Sequence, residues 1–324
     1  MNVPRRTFLH LAAGAAATAL TSPAVPAAAP STVKTPIDLD LQSGSGCDCH
    51  VHVLDPARFP YSPRRALTPP PATVEDLQNL LRDLHLKRVI VVQPGPYGTD
   101  NSCILDAVRQ LGPIARAVAI IDKSTSPAKL EEMVAGGCRG VRLPFEVMGV
   151  TDPTAITAAI SATEKQIGGL NLILHVYSRP SIIAQLKGQL AELSVPLVID
   201  HFGGAQAAEG VDQTGFEAVI DLVQSGRAYV KISAANRISQ KGPDYADATP
   251  FAQALVKANP DRVLWGSDWP HLTGVRGRPL TGISPPPEDY DDGMVLNQLS
   301  RWVPDPTIRK KILVENPARV YGFS

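Results

Sequence analysis

Two histidines spaced two apart, His50 and His52, end a short β-favouring run, Cys47-Asp48-Cys49-His50-Val51-His52-Val53. Side chains alternate along a strand with a period of two, so both imidazoles face the same way and can offer nitrogens to one point. A lone His-x-His fits a strand-edge accident equally well, and the other histidines decide the matter. Of the seven in the chain, His10 lies near the N-terminus and His85 in a polar helical stretch, while His50, His52, His175, His201 and His271 each stand at or just past the end of an apolar strand-like run. Other ends of such runs carry Gln93, Arg142, Ser233 and Asp268. Two histidines from one strand, one each from two others and a carboxylate suit a mononuclear divalent-metal site, because neutral imidazole and carboxylate oxygen are the donors zinc favours. Singly, each would more often be a packed or surface residue. Together, His50, His52, His175, His201 and Asp268 read as a ligand set for one divalent ion, zinc first and manganese as the alternative.

The elements that must position them follow from periodicity. Strands are expected at 48–53, 88–92, 115–121, 140–143, 170–176, 197–199, 228–232 and 263–265. Helices are expected at 73–84, 102–111, 127–135, 153–167, 180–193, 213–224, 249–258 and 288–302, several opened by a capping residue and an N1 proline, as in Ser126-Pro127 and Asp152-Pro153. The strand runs are apolar throughout, as a parallel sheet covered on both faces requires. They recur roughly every thirty residues, the pace of a (β/α)8 TIM barrel of about 250 residues, whose strand C-terminal ends converge on the active-site face. A doubly wound open sheet competes, but no Gly-rich phosphate turn follows the first strand. The segments 306–313 and 316–321 are expected to close the underside of the barrel.

With 324 residues, 44% of them hydrophobic, the chain can bury a barrel-sized core. Its formal net charge is zero, which gives no electrostatic case for a nucleic-acid or anionic-membrane partner. Arg5-Arg6 followed by Thr7-Phe8-Leu9, an Ala/Leu-rich stretch to Leu20 and Ala27-Ala28-Ala29 reads as a twin-arginine signal peptide over residues 1–30, too short in its apolar part for a membrane span. The alternative is an uncleaved N-terminal anchor. The expected compartment is the periplasm, with a linker over 31–46 and one domain over 47–324. Cys47, Cys49, Cys103 and Cys138 show no secreted-scaffold spacing and read as buried thiols.

From Cys47 onward the chain resembles the amidohydrolase superfamily, in particular the lactonases typified by 2-pyrone-4,6-dicarboxylate lactonase, with sulfomuconolactone hydrolases, sugar-acid lactonases and galactarolactone isomerase similar in the same segments. The carriers are Asp48-Cys49-His50-Val51-His52, Phe59-Pro60-Tyr61-Ser62-Pro63, Tyr97-Gly98-Thr99-Asp100-Asn101, Arg139-Gly140-Val141-Arg142, Asp200-His201-Phe202-Gly203, the run from Val263 to His271, and Glu315-Asn316-Pro317. The resemblance implies that His50, His52, His175 and His201 bind a metal or polarise a carbonyl, and that Asp268 is the general base that takes a proton from attacking water. Arg142 and Arg237 are the expected holders of a substrate anion, since a guanidinium presents a planar fork to carboxylate or sulfonate. Tyr61 and Tyr97 are further candidates on loops over the same face.

Departures from the dicarboxylate enzyme bear on the substrate. Gly204 stands where that enzyme has a substrate arginine, Pro144-Phe145-Glu146-Val147 offers no equivalent of another, and His175 stands where it has a tyrosine. The expectation is therefore a metal-dependent hydrolase of a small anionic lactone less charged than a dicarboxylate, such as a sulfomuconolactone. A metal-independent lactonase, a lactone isomerase, a decarboxylase of the same superfamily and a non-catalytic binding protein are the alternatives.

Overall fold

The computed structural model describes residues 32–39, 46–272 and 290–324. The expected leader lies outside them, as does the start of the last expected helix. Eight parallel strands, β1 (Cys47–Val51), β2 (Arg88–Val92), β3 (Ala115–Ala119), β4 (Cys138–Leu143), β5 (Ile173–Val176), β6 (Leu197–Ile199), β7 (Ala228–Ser233) and β8 (Val263–Gly266), pair in sequential order. The chain beyond β8 returns to β1 through His52 N–H to Trp269 O (2.8 Å) and Asp268 N–H to His50 O (2.9 Å), bringing the sheet close to full closure as a TIM barrel. Gly266 permits this approach, because a Cβ there would lie 2.8 Å from the His50 nitrogen.

The outer helices are α1 (Val74–Asp83), α2 (Ser102–Leu111), α3 (Pro127–Ala135), α4 (Phe145–Met148), α5 (Pro153–Ile167), α6 (Pro180–Glu192), α7 (Phe216–Gln224), α8 (Ala235–Ile238), α9 (Thr249–Ala258), α10 (Asp292–Trp302), α11 (Pro306–Lys310) and α12 (Asn316–Tyr321). Their starts follow local chemistry. Thr73 and Asp76 form a reciprocal capping box on α1, and Ser126, Asp152 and Asp305 each accept a backbone N–H just ahead of an N1 proline. The short α4 and α8 lie in segments where periodicity predicts no element.

Two apolar layers result. One lies between strands and helices and holds Val89, Val91, Leu174 and Trp265. The other fills the lower barrel with Cys47, Cys49, Ile90, Val92, Val118, Ile173, Val198, Tyr229 and Leu264, plugged from below by Tyr321 and Phe323. The segment 306–321 thus closes the underside as expected.

β1 contains the irregularity that makes the site. Asp48 pairs with Val89 and Val51 with Val91, so three residues of β1 span two of β2. This bulge resets the alternation: Cys49 still packs in the lower barrel, His50 and His52 also turn inward, and Val51 and Val53 join the outer layer. The described part of the expected linker, residues 32–39, lies along α10. Asp291 Oδ1 accepts from the Lys34 and Thr35 amides (3.0 and 3.2 Å), and Asn297 bonds both Pro36 O and the Asp38 amide.

Candidate active site

Above the apolar plug the barrel interior becomes polar, with side chains from the ends of β1, β4, β6, β7 and β8. Asp268 is the centre. Its Oδ2 accepts from Arg237 Nε at 2.8 Å, while its Oδ1 has no hydrogen-bond partner and faces three imidazole nitrogens: Nε2 of His52 at 3.5 Å, of His50 at 3.6 Å and of His201 at 3.8 Å. Asp268 and His201 hold this geometry in left-handed backbone conformations, φ 66° and 50°, a local cost of roughly 1–3 kcal/mol each of the kind concentrated at functional sites.

Hydrogen bonds fix what each imidazole can offer. His52 Nδ1 lies 2.8 Å from Val92 O; a carbonyl only accepts, so Nδ1 carries the proton and Nε2 presents a lone pair. His201 Nδ1 meets Ser233 Oγ at 2.9 Å, and its Nε2 is approached by Arg142 Nη2 at 3.3 Å. His50 Nε2 has no hydrogen-bond partner.

Burial governs the charges. Desolvation, aided by neighbouring cations, pushes His201 down to about 3 and lowers His50 well below its usual value, so the imidazoles facing Asp268 from these two positions are neutral at pH 7. Burial alone would raise Asp268, but the Arg237 guanidinium against Oδ2 holds it well below the usual carboxylate range. Asp48, under β1, accepts from the His50 and Ser267 amides (both 3.0 Å), yet burial still raises it to about 7.

One layer deeper lies a second charged group. Asp200 Oδ2 accepts from Arg142 Nε at 2.8 Å, and its Oδ1 is 3.0 Å from the fully buried Lys231 Nζ. Burial would raise the Asp200 carboxyl; Lys231 and Arg142 reverse that and keep it ionised. Lys231 also touches His50 Nδ1 (3.1 Å) and His175 Nδ1 (3.3 Å). Sequence reasoning assigned no role to Lys231 or Asp200. A lysine inside the apolar run Ala228–Ile232, two residues before the inward Ser233, was the available signal.

The structure brings together His50, His52, His201, Asp268, Arg142 and Arg237. It does not bring His175 to the cluster. The inward position of β5 at the level of the site is Tyr177, two residues or about 6.6 Å further along the strand, and its ring lies 4.7 Å edge-on to His201. His175 faces Lys231 below and is 5.9 Å from the Tyr321 ring of the plug. The two loop tyrosines stack at 5.0 Å, but their hydroxyls bond backbone: Tyr97 accepts from the Asp55 amide and Tyr61 donates to Pro69 O. Arg142 spends Nε on Asp200 and Arg237 spends Nε on Asp268. The terminal nitrogens of Arg237 have no hydrogen bond among the described residues. His271 bonds Asp292 Oδ2 at 3.0 Å and stacks on Tyr290.

The donor set suits a divalent cation. His50, His201 and Asp268 each place one ligand atom within 4.8 Å of the others, all buried, and two of those atoms, His50 Nε2 and Asp268 Oδ1, are orphaned.

A family model described as Amidohydrolase matches residues 47–323. The chain is 35% identical over 276 residues to 4-sulfomuconolactone hydrolase of Rhizobium radiobacter, covering 84% of this chain and 88% of the relative. It is 32% identical over 280 residues to a 2-pyrone-4,6-dicarboxylate hydrolase of Comamonas testosteroni, covering 83% and 88%. A solved structure from Pseudomonas putida, assigned as a 2-pyrone-4,6-dicarboxylic acid hydrolase, superposes with a TM-score of 0.74 at 27% identity, covering 86% of this chain and 98% of that one.

Proposed function

The chain belongs to the amidohydrolase family, and from that premise we propose that it hydrolyses a small lactone bearing one anionic group, by attack of water on the lactone carbonyl. The single observation that carries this reading is the division of labour within Asp268: Oδ2 is fixed by Arg237 and Oδ1 is left open toward three imidazoles. A base so held stays ionised throughout the neutral range and points its free oxygen at one place. The relatives named as lactone hydrolases support the reaction class.

In the reaction, water beside Asp268 Oδ1 loses its proton to that oxygen as it attacks the carbonyl carbon; the bond between that carbon and the ring oxygen then breaks, and the proton passes from Asp268 to the departing oxygen, which becomes the new hydroxyl. His50, His52 and His201 line the place where charge develops on the carbonyl oxygen. A divalent ion, zinc first and manganese next, is the group that His50, His52, His201 and Asp268 would hold, where it would supply Lewis acidity toward that oxygen. A metal-free form of the same reaction is favoured by one contact: Arg142 Nη2 already lies against the lone pair of His201 Nε2.

Substrate charge follows from the arginines. Among the described residues the guanidinium end of Arg237 has no hydrogen bond, which leaves it for one carboxylate or sulfonate. A second anion holder at position 204 is sterically barred, since a Cβ on Gly204, at φ +71°, would lie 2.3 Å from Ser178 O. A mono-anionic lactone of the sulfomuconolactone type therefore fits better than a dicarboxylate. Residues 1–30 fit export by the twin-arginine route and action in the periplasm, which cell fractionation of the full-length chain tests.

The functional reading is tested by turnover of matched sulfonate, monocarboxylate, dicarboxylate and neutral lactones, each before and after exhaustive chelation and metal return. The expected result is highest kcat/KM for a mono-anionic lactone; turnover lost on chelation and restored by zinc or manganese selects the metal-dependent form. Turnover indifferent to chelation selects the metal-free form, and no turnover of any lactone refutes the proposal.

A further inference from the structure

Lys231 touches no position a lactone would occupy, yet it is placed to decide what His50 can do. The inward column of β7 runs Tyr229, Lys231, Ser233. Tyr229 packs in the apolar plug and Ser233 bonds His201, so Lys231 sits at the boundary of the two layers with no solvent exposure. An ammonium has three N–H donors and accepts nothing. Its three polar neighbours are Asp200 Oδ1 at 3.0 Å, His50 Nδ1 at 3.1 Å and His175 Nδ1 at 3.3 Å.

That arrangement has a consequence for both imidazoles. A nitrogen that receives a hydrogen bond from an ammonium must present its lone pair, so the ring proton resides on the other nitrogen. The competing partner for His50 Nδ1 is Asp200 Oδ1, which would instead draw a proton onto Nδ1, but it lies at 3.6 Å, beyond hydrogen-bond range. Lys231 is therefore the nearer and determining neighbour.

We infer that Lys231 is a positioning residue that holds His50 as its Nε2–H tautomer, so that His50 faces Asp268 Oδ1 as a proton donor and withholds its lone pair from a divalent ion. The ion-competent tautomer carries its proton on Nδ1, the form that a carboxylate behind the ring stabilises at metal sites. Here that carboxylate is present as Asp200, and Lys231 stands between it and the ring. The resting cluster is thus set toward hydrogen-bond donation to a carbonyl, with metal affinity held down. His175, one inward position below the ligand set, faces Lys231 in the same way.

The inference concerns the same cluster as the lactonase reading but does not depend on the substrate, because its readouts are taken without lactone. The first is the nitrogen NMR spectrum of histidine-labelled, metal-free protein, with His50 assigned by comparison with His50→Asn. Protonated Nε2 and unprotonated Nδ1 at His50 are expected; a proton on Nδ1 overturns the inference. The second is zinc affinity by competition with a chelator, wild type against Lys231→Met. Removing the ammonium leaves Asp200 free to accept a hydrogen bond from a protonated Nδ1, and zinc should bind at least ten-fold more tightly. Equal or weaker binding by a folded Lys231→Met protein overturns the inference, and should that variant fail to fold, the wild-type spectrum alone decides.

Discussion

The same eight strands build two chemically opposite chambers, one stacked on the other. The lower interior is packed with Cys47, Cys49, Ile90, Val118, Ile173, Val198, Tyr229 and Leu264 and sealed by Tyr321 and Phe323. The upper interior, further along β1, β4, β6, β7 and β8, holds His50, Arg142, Asp200, Lys231, Ser233 and Asp268, all nearly or fully buried. The lower chamber stabilises by excluding water from apolar surface. The upper one buries ionised groups, which stays tolerable only while each charge keeps its partner. The barrel's underside is thus a stability device and its upper face a chemical one, and substitutions should separate them cleanly.

The largest separation is expected from Asp268→Asn. It removes the base but keeps the shape, so kcat should fall by about 10³-fold, within the usual range for loss of a general base, with the chain still folded by circular dichroism. Retention of more than a tenth of the activity would move the base elsewhere. The converse variant is Tyr321→Ala in the plug. Loss of a fully buried aromatic should cost about 3–5 kcal/mol in a urea titration, while KM at a temperature where the protein remains folded stays within about two-fold of wild type. A large KM change there would show that the two chambers are coupled.

Acid should act on the upper chamber first. In the metal-free protein, His175 is lowered to about 4, His201 to about 3 and His50 well below its usual value, each chiefly by burial, whereas burial raises Asp48 to about 7. Between the ordinary carboxyl value of 3.8 and the ordinary imidazole value of 6.5 the unfolded chain gains three imidazole protons, while the native state alone retains the one on Asp48. The unfolded state therefore binds about two more protons, and stability falls as pH drops below about 6, by up to about 3 kcal/mol per pH unit. Urea midpoints measured from pH 7 to pH 4.5 check the sign; a flat profile would mean that the imidazoles are not buried neutral. The smallest effect is expected from Arg237→Lys, which keeps the charge beside Asp268 but loses the fork. KM for an anionic lactone should rise about ten-fold, with little change for a neutral one, and equal effects on both would remove Arg237 from anion recognition.

Much of this division was legible in the sequence. The strands announce themselves as apolar runs, and β2, β6 and helices α2, α3, α5 and α9 begin and end where periodicity and capping place them. His50, His52, His201 and Asp268 were legible because their side chains follow such runs directly. Three features were not. The bulge in β1 is a property of pairing with β2, not of the residues Cys49 and His50 themselves. The height of a residue along the barrel depends on strand register, which is why His175 reads like a ligand yet stands one inward position too low, beneath Tyr177. Lys231 is hidden because a single lysine in an apolar strand reads as an edge or surface residue until the carboxylate that neutralises it, Asp200 from the neighbouring strand, is in view.

The most direct test of ring opening by water at Asp268 is mass analysis of product formed from a mono-anionic lactone in ¹⁸O-labelled water. The account predicts one labelled oxygen in the new carboxylate for the wild type and loss of that product in Asp268→Asn. A converted product of unchanged mass, free of label, would contradict hydrolysis and make the chain a lactone isomerase.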